Sequence, residues 1–259
     1  MKIGTAIPTK YYELAAQMGY DYVEFPGVEL CKLTEEEVAA LEERVKKTGL
    51  RVLGMNSYCD DSVVVANDGF SEEVTRAYAK KMADIAARLG MKDVGIGAPK
   101  ARMLPEGYPM EKADAHAKRF LEITNEEMKA RGVGLLFEAV HKDYCDYCNY
   151  SEHCKAMVEA IGDDNLWMVL DFYNMDVMGE DLLHFDQYMP WVRHFHINHR
   201  GPNNDRQYIL PEDEPFLKDL KESFARVGYD GTITIEADAR YFEEYGKEGL
   251  SIMQKWMNG

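Results

Sequence analysis

The chain of 259 residues is poor in cysteine and has no long hydrophobic run. Its five cysteines are an odd number without the spacing of a disulfide framework, so we expect reduced thiols. No run of about 18 apolar residues occurs, and the opening MKIGTAIPTK lacks the apolar stretch of a signal peptide. These absences predict a cytoplasmic protein that is neither exported nor inserted into a membrane.

Basic residues are also scarce, with 30 lysines and arginines against 46 acidic residues and a net charge of -16. Nucleic-acid binding requires a basic surface, so this balance argues against a nucleic-acid partner. Neither GxGxxG nor GxxxxGK[ST] follows any strand-like segment, which removes the usual signatures of dinucleotide and nucleotide sites. We therefore expect a small, unphosphorylated substrate.

Strand-like and helix-like segments alternate eight times along the chain. The predicted strands lie at 2–7, 21–25, 51–58, 93–98, 133–140, 166–173, 193–198 and 232–237. The predicted helices lie near 9–18, 34–49, 71–90, 110–130, 151–161, 181–189, 215–227 and 246–257. This rhythm and length predict an α/β protein, a (β/α)8 TIM barrel that forms a single domain over residues 1–259.

The seventh predicted strand lies in the sequence VRHFHINHR, residues 192–200. On a strand, His194 and His196 share one face, whereas Phe195 and Ile197 share the other. The histidines could face a functional cavity, since imidazole is the most common side-chain metal ligand. They could equally be hydrogen-bonded residues of the core.

Acidic residues stand near the ends of three other predicted strands: Glu138 in LLFEAV, Asp171 in MVLDFY and Glu236 in ITIEAD. In TIM barrels the carboxyl ends of the strands carry the chemistry. Three carboxylates that converge there with His196 would repel one another unless a cation balances them. We expect one divalent metal ion, Mn²⁺ in the first place, with Mg²⁺, Co²⁺ or Zn²⁺ as alternatives.

These four motifs together resemble the xylose-isomerase-like TIM-barrel superfamily. Within it, the likeness is to sugar isomerases and epimerases such as ketose 3-epimerases, hydroxypyruvate isomerase and inosose isomerase. The resemblance implies that His196, rather than His194, is the metal ligand. It also implies that Glu138 and Glu236 hold the metal and act as an acid/base pair. The expected reaction is isomerisation or epimerisation of a small ketose or polyol-derived sugar, by proton transfer through a metal-stabilised enediolate.

Substrate contacts are less clearly marked in the sequence. Asn174 stands where the epimerases carry a histidine, and His141 could supply a titratable group in compensation or be a surface loop residue. Arg200 follows His196, where the family places an arginine on substrate oxygens, although a solvated arginine fits as well. Asn56 and Glu24, near the ends of early strands, could bind hydroxyl groups.

Two rival functions remain open on the same fold. A lyase of the inosose-dehydratase kind would expel a hydroxyl group, and a non-catalytic sugar-binding or assembly subunit would keep only the barrel. DNA repair is disfavoured, because the third and fourth strands end in Asn-Ser and Gly-Ala without the extra histidines of AP endonucleases. We expect a sugar or polyol as partner, no nucleic acid, no membrane, and possible assembly into a homo-oligomer.

The loop KDYCDYCN, residues 142–149, contains a CxxC motif. A structural zinc would need four ligands, and only a strained local set is available. The alternative is that its cysteines are small apolar fillers beneath an aromatic lid formed by Tyr144, Tyr147 and Tyr150.

Overall fold

The structure, a computed structural model, describes residues 1–258. Eight parallel strands form a closed barrel, in which the last strand pairs with both the first and the seventh. The barrel strands are β1 Lys2–Ala6, β2 Tyr22–Pro26, β3 Arg51–Asn56, β4 Asp93–Ile96, β5 Gly134–Glu138, β6 Leu166–Asp171, β7 Val192–Ile197 and β10 Thr232–Ile235. The predicted (β/α)8 TIM barrel is confirmed.

The helices surround the barrel. They are α1 Tyr12–Met18, α2 Gly27–Leu30, α3 Glu35–Thr48, α4 Glu72–Arg88, α5 Met110–Lys129, α6 Ser151–Ile161, α7 Phe172–Met178, α8 Glu214–Val227 and α9 Phe242–Asn258. Thr34 begins α3 with the expected capping box: its hydroxyl accepts from the Glu37 amide, and the Glu37 carboxylate accepts from the Thr34 amide. Among the described residues, no helix is both long and apolar enough to cross a membrane.

The region after β6 differs from the prediction. The expected strand ran to residue 173 and the expected helix lay at 181–189, and both bounds were wrong. The strand ends at Asp171, whose carboxylate accepts from the Tyr173 amide (2.9 Å) and caps α7 at once. Residues 181–189 contain a 3-10 turn, Asp186–Tyr188. In a short apolar run, the hydrophobic pattern is the same for a strand and for a buried helix, which explains the error.

The outer face of β7 packs against an aromatic cluster between the barrel and its helices. Phe195 is fully buried there, in ring contact with Phe172, Phe185, Phe224 and Tyr229. His194 and His196 lie on the opposite, inner face and are also buried. The alternation read from the sequence is thus observed, and it places both imidazoles inside the barrel.

A feature absent from the prediction follows β7. Two short strands, β8 His199–Arg200 and β9 Arg206–Gln207, form an antiparallel hairpin in which Arg200 lies opposite Arg206. The amide of Asp238, just beyond β10, donates to the carbonyl of Arg206 (2.9 Å). The hairpin is thereby docked at the carboxyl end of the barrel.

Candidate active site

The four residues proposed as metal ligands meet at the carboxyl ends of neighbouring strands. Each offers a ligand atom, and these atoms all lie within 4.8 Å of one another. Nδ1 of His196 is 3.4 Å from Oε2 of Glu236 and 3.9 Å from Oε1 of Glu138. Asp171 completes the group, and all but the partly exposed Glu236 are buried. The expected convergence is therefore observed, while metal binding stays a prediction.

The electrostatics of this group leave it short of positive charge. Burial, reinforced by the nearby carboxylate of Glu236, raises the pKa of Glu138 to about 8. Burial alone would also raise the pKa of Glu236, but Arg206 and His196 hold it well below its usual range. Without a further cation, burial and the neighbouring carboxylate thus favour the neutral form of the Glu138 carboxyl. A divalent ion would allow all three carboxylates to ionise together.

His196 presents a free nitrogen to the same group. Its Nε2 is 3.2 Å from Oε2 of Glu24 and must carry a hydrogen, because a carboxylate only accepts. Its Nδ1 is buried and has no hydrogen-bond partner in the described part of the chain. Burial alone would lower the pKa of His196, but Glu236 and Glu24 raise it well above its ordinary value. A bound cation would take the place of the second ring proton on Nδ1.

Two side-chain amides hold the carboxylates in place. Nδ2 of Asn174 donates to Oε1 of Glu138 (3.0 Å) and to Oδ2 of Asp171 (2.7 Å). Nδ2 of Asn56 donates to Oε1 of Glu236 (2.6 Å). Both asparagines also line the cavity, so the substrate contacts predicted for them stay possible in addition to these bonds.

Arg206 is the functional candidate that the sequence prediction missed. Its guanidinium donates to Oε2 of Glu236 (2.6 Å) and to Oδ2 of Asp171 (2.7 Å), and it lies over the ring of Tyr173 (4.3 Å). Burial would lower the pKa of Arg206, but the carboxylates of Asp171 and Glu236 raise it well above its usual value. It lines the cavity beside the proposed metal ligands.

Arg200, which the sequence favoured, does not line the cavity. Its exposed side chain donates to Asp176 (2.8 Å) and to Asn204 (2.9 Å). The substrate contact of Arg200 therefore stays a prediction, and its position fits the solvated arginine that the sequence also allowed; linear spacing from His196 carries no information about a hairpin. The turn-forming composition of GPNND, residues 201–205, is the signal that could have indicated one.

His141 is buried rather than exposed on a loop. Its ring packs against Tyr144 (4.0 Å between centroids) and Tyr173 (5.4 Å), and it does not line the cavity. Neither ring nitrogen has a hydrogen-bond partner within the described chain. The predicted substrate contact would therefore require Tyr144 to move.

The aromatic lid proposed for the CxxC loop is only partly present. Tyr144 lines the cavity, whereas Tyr147 is fully buried and donates its hydroxyl hydrogen to Asp114 (2.7 Å). The three cysteines of this region, Cys145, Cys148 and Cys154, are buried. The groups of potential metal ligands found over residues 1–258 contain no sulfur. The cysteines thus pack as small apolar side chains.

The cavity at the barrel mouth has a volume of about 420 Å³. Glu138 and Glu236 reach it from strands that are separated in the barrel by β6 and β7. Its two arginines are both paired, Arg206 with the carboxylates described above and Arg240 with Asp238 (3.0 Å). The described residues that line it include no lysine. The site thus offers carboxylates, amides and paired guanidinium groups, a set suited to hydroxyl-rich molecules.

Comparison with solved structures finds the same barrel in two sugar epimerases and in a protein with a bound zinc atom. D-psicose 3-epimerase crystallised with D-fructose superposes with a TM-score of 0.81, at 16% identity over 100% of both chains. The 3-keto-D-glucoside 4-epimerase of E. coli gives 0.76, at 16% identity over 98% of this chain and 99% of that chain. The IolI protein with a bound zinc atom gives 0.74, at 20% identity over 98% and 96%. At sequence identities this low, structural similarity establishes only that the chain shares their fold.

Membership of a family rests on a separate comparison. Comparison of the sequence with curated proteins found no match. The family described as xylose isomerase-like TIM barrel matches residues 12–257, nearly the whole chain, and confirms the resemblance read from the sequence motifs. The protein therefore belongs to the xylose isomerase-like TIM-barrel family.

Proposed function

We propose that the protein is a sugar epimerase or isomerase that depends on one divalent metal ion. One observation carries the proposal. Glu138 and Glu236 belong to the four-residue ligand group and also line the cavity in which a substrate would lie. Two carboxylates so placed can hold a cation and exchange protons with a carbon atom beside it.

The bound metal would polarise a ketose carbonyl and acidify the adjacent C–H group. The two glutamates approach from different sides of the barrel. One would remove the carbon-bound proton, and the other would deliver a proton to the opposite face or to the neighbouring carbon. Asn174 and Asn56 would keep both carboxylates oriented through the hydrogen bonds that they donate.

The donor set of three carboxylates and one imidazole fits a divalent metal of intermediate hardness. We favour Mn²⁺ for this reason, and Zn²⁺ is the first alternative because the IolI structure contains zinc. Mg²⁺ and Co²⁺ remain compatible with the same donors. Metal identity is therefore part of the test.

The proposed substrate is a small uncharged ketose or a related keto sugar. Both arginines of the cavity are paired with carboxylates, which leaves no unpaired arginine among its described lining residues to receive a phosphate group. Fold relatives include enzymes named for D-psicose and for a 3-keto-D-glucoside, so both types of keto sugar should be offered.

The decisive experiment follows exchange of carbon-bound hydrogen. The metal-free protein is incubated in D₂O with Mn²⁺ or Zn²⁺ and a panel of D-fructose, D-psicose, D-tagatose, 3-keto glucosides and inososes. NMR then detects deuterium next to the carbonyl and any new sugar. We expect exchange with at least one ketose, and its loss on chelation.

Glu138→Gln and Glu236→Gln should abolish exchange while weakening sugar binding much less. Glu180→Gln is the matched control, because Glu180 accepts from the amide of Ser151 and does not line the cavity. Loss of water with formation of an enone would identify the lyase instead. Sugar binding without any exchange would identify the non-catalytic subunit, and either result would overturn the proposal.

A further inference from the structure

A buried carboxylate lies behind the proposed metal ligands, inside the barrel. Glu24, on β2, is only 4% exposed. Its Oε2 is 3.2 Å from Nε2 of His196, and its Oε1 is 2.7 Å from Nε2 of His194. Glu24 does not line the substrate cavity, so the hydroxyl binding considered for it from the sequence does not fit its position.

Glu24 is itself held in place by residues of β7 and β10. The hydroxyl of Thr234 donates to Oε1 of Glu24 (2.5 Å) and lies 3.1 Å from Nε2 of His194. Nδ1 of His194 in turn lies 2.7 Å from the hydroxyl of Thr232. Glu24 thus has hydrogen-bonding neighbours on both oxygens.

This arrangement determines which nitrogen of His196 is available. The Glu24 carboxylate requires a hydrogen on Nε2 of His196, so in the ring with one proton the lone pair is on Nδ1. Nδ1 is the nitrogen that points toward Glu138 and Glu236. A carboxylate that fixes the tautomer and orientation of a metal-binding histidine is a recurrent feature of metal sites.

A second metal ion between Glu24, His194 and His196 is the competing explanation, because their ligand atoms also lie close together. The cavity that these three residues line together with seven others has a volume of only about 10 Å³. That is at the lower limit for a single water molecule. In addition, the Thr234 hydroxyl already donates to the carboxylate. A hydrogen-bonded arrangement fits this space better than a hydrated ion.

We propose that Glu24 is a positioning residue, which fixes the ring and tautomer of His196 so that Nδ1 faces the metal. The inference rests on the proposed metal-dependent function. It predicts that Glu24 controls metal affinity without contacting the metal or the substrate.

The test compares Glu24→Leu and Glu24→Gln with wild type and with the Glu180→Gln control. Mn²⁺ and Zn²⁺ affinities of the intact proteins are measured by competition with a chelator, together with the number of ions bound. Glu24→Leu removes the acceptor for His196 and should weaken binding by about 10–100-fold. Glu24→Gln retains an oxygen acceptor but no charge, so its loss should be smaller. Glu180→Gln should bind as wild type does.

A spectroscopic measurement separates positioning from general damage to the fold. In the zinc-loaded protein with ¹⁵N-labelled histidine, long-range ¹⁵N–¹H correlation should show His196 protonated on Nε2 and metal-bound through Nδ1. At the same zinc concentration, Glu24→Leu should show His196 rings that lack bound zinc and therefore do not give this pattern. Should that variant fail to fold, the metal affinity of Glu24→Gln is compared with that of Glu180→Gln. A weaker affinity for Glu24→Gln supports the positioning role, and an equal affinity refutes it.

The outcomes distinguish the two proposals. If wild type binds neither ion, the metal-dependent function fails and takes this inference with it. If wild type binds one ion and the Glu24 variants bind it equally well, only the positioning role is refuted. Two ions in wild type and one in Glu24→Leu would replace positioning by a second metal site.

Discussion

Replacing Arg206 with methionine should destabilise the metal-free protein far more than the same change at Arg200. Arg206 donates to Asp171 and Glu236 with only 16% of its side chain exposed, whereas Arg200 pairs with Asp176 at 39% exposure. The two arginines face each other across one hairpin, so they form a matched pair in local structure. They differ in burial and in the carboxylates that each would leave unpaired.

The expected magnitude follows from those partners. Removing one member of a buried ion pair costs about 3–5 kcal/mol, because a buried charge is left uncompensated. Asp171 keeps its bond from the Tyr173 amide, and Glu236 keeps its bond from Asn56, so we expect about 3 kcal/mol, the lower end of that range. This corresponds to a fall in Tm of about 6–12 °C for a chain of this size. Arg200→Met should cost less than about 1 kcal/mol.

Urea unfolding of both variants, with and without saturating Mn²⁺, measures the effect. Without metal, the Arg206 variant should lose the larger free energy of unfolding. With Mn²⁺, the difference should narrow, since the dication balances the carboxylates that Arg206 had balanced. Equal losses for the two variants in metal-free buffer would refute the view that Arg206 compensates the buried carboxylates.

Two further changes test the scaffold. Phe195→Ala should lower the free energy of unfolding by about 3–5 kcal/mol, because it empties a fully buried aromatic site. The control is Val74→Ala, at a position that is 46% exposed. In the same urea assay it should change stability by no more than about 0.5 kcal/mol. Thr34→Ala should cost about 1 kcal/mol through loss of the capping box of α3. The control for Thr34 is Glu36→Ala, at an exposed position of the same helix, and an equal thermal shift for both would argue against the cap.

The repeating elements were predictable because they follow local rules. Alternation in VRHFHI placed His196 inside the barrel, and the capping box at Thr34 placed the start of α3. The carboxyl-end rule for barrels then brought Glu138, Asp171 and Glu236 to one place without any knowledge of distances. The bounds after β6 were wrong because Asp171 ends a strand and caps a helix at once, and an apolar run hides that change.

Contacts between distant segments were beyond local rules. Arg206 reaches the site through a hairpin whose strands have two residues each, too short for a periodic signal. Glu24 lies 172 positions from the histidine that it contacts, and its sequence context, DYVEF, is that of any buried strand. His141 is covered by Tyr144, although its polar loop suggested exposure.

The sequence by itself determined the barrel and the meeting of three carboxylates with a pair of histidines, because a strand has a fixed side-chain period and parallel strands share one functional edge. The choice of His196 within that pair came from the family resemblance. The tertiary structure decided which groups surround the proposed metal ligands: Arg206 and the amides at the mouth, and Glu24 below. These neighbours depend on closure of the barrel and docking of the hairpin. Both processes bring together parts of the chain that are far apart in the sequence. Electrostatic and hydrogen-bonding partners depend on distance in space, so no local sequence pattern reveals them.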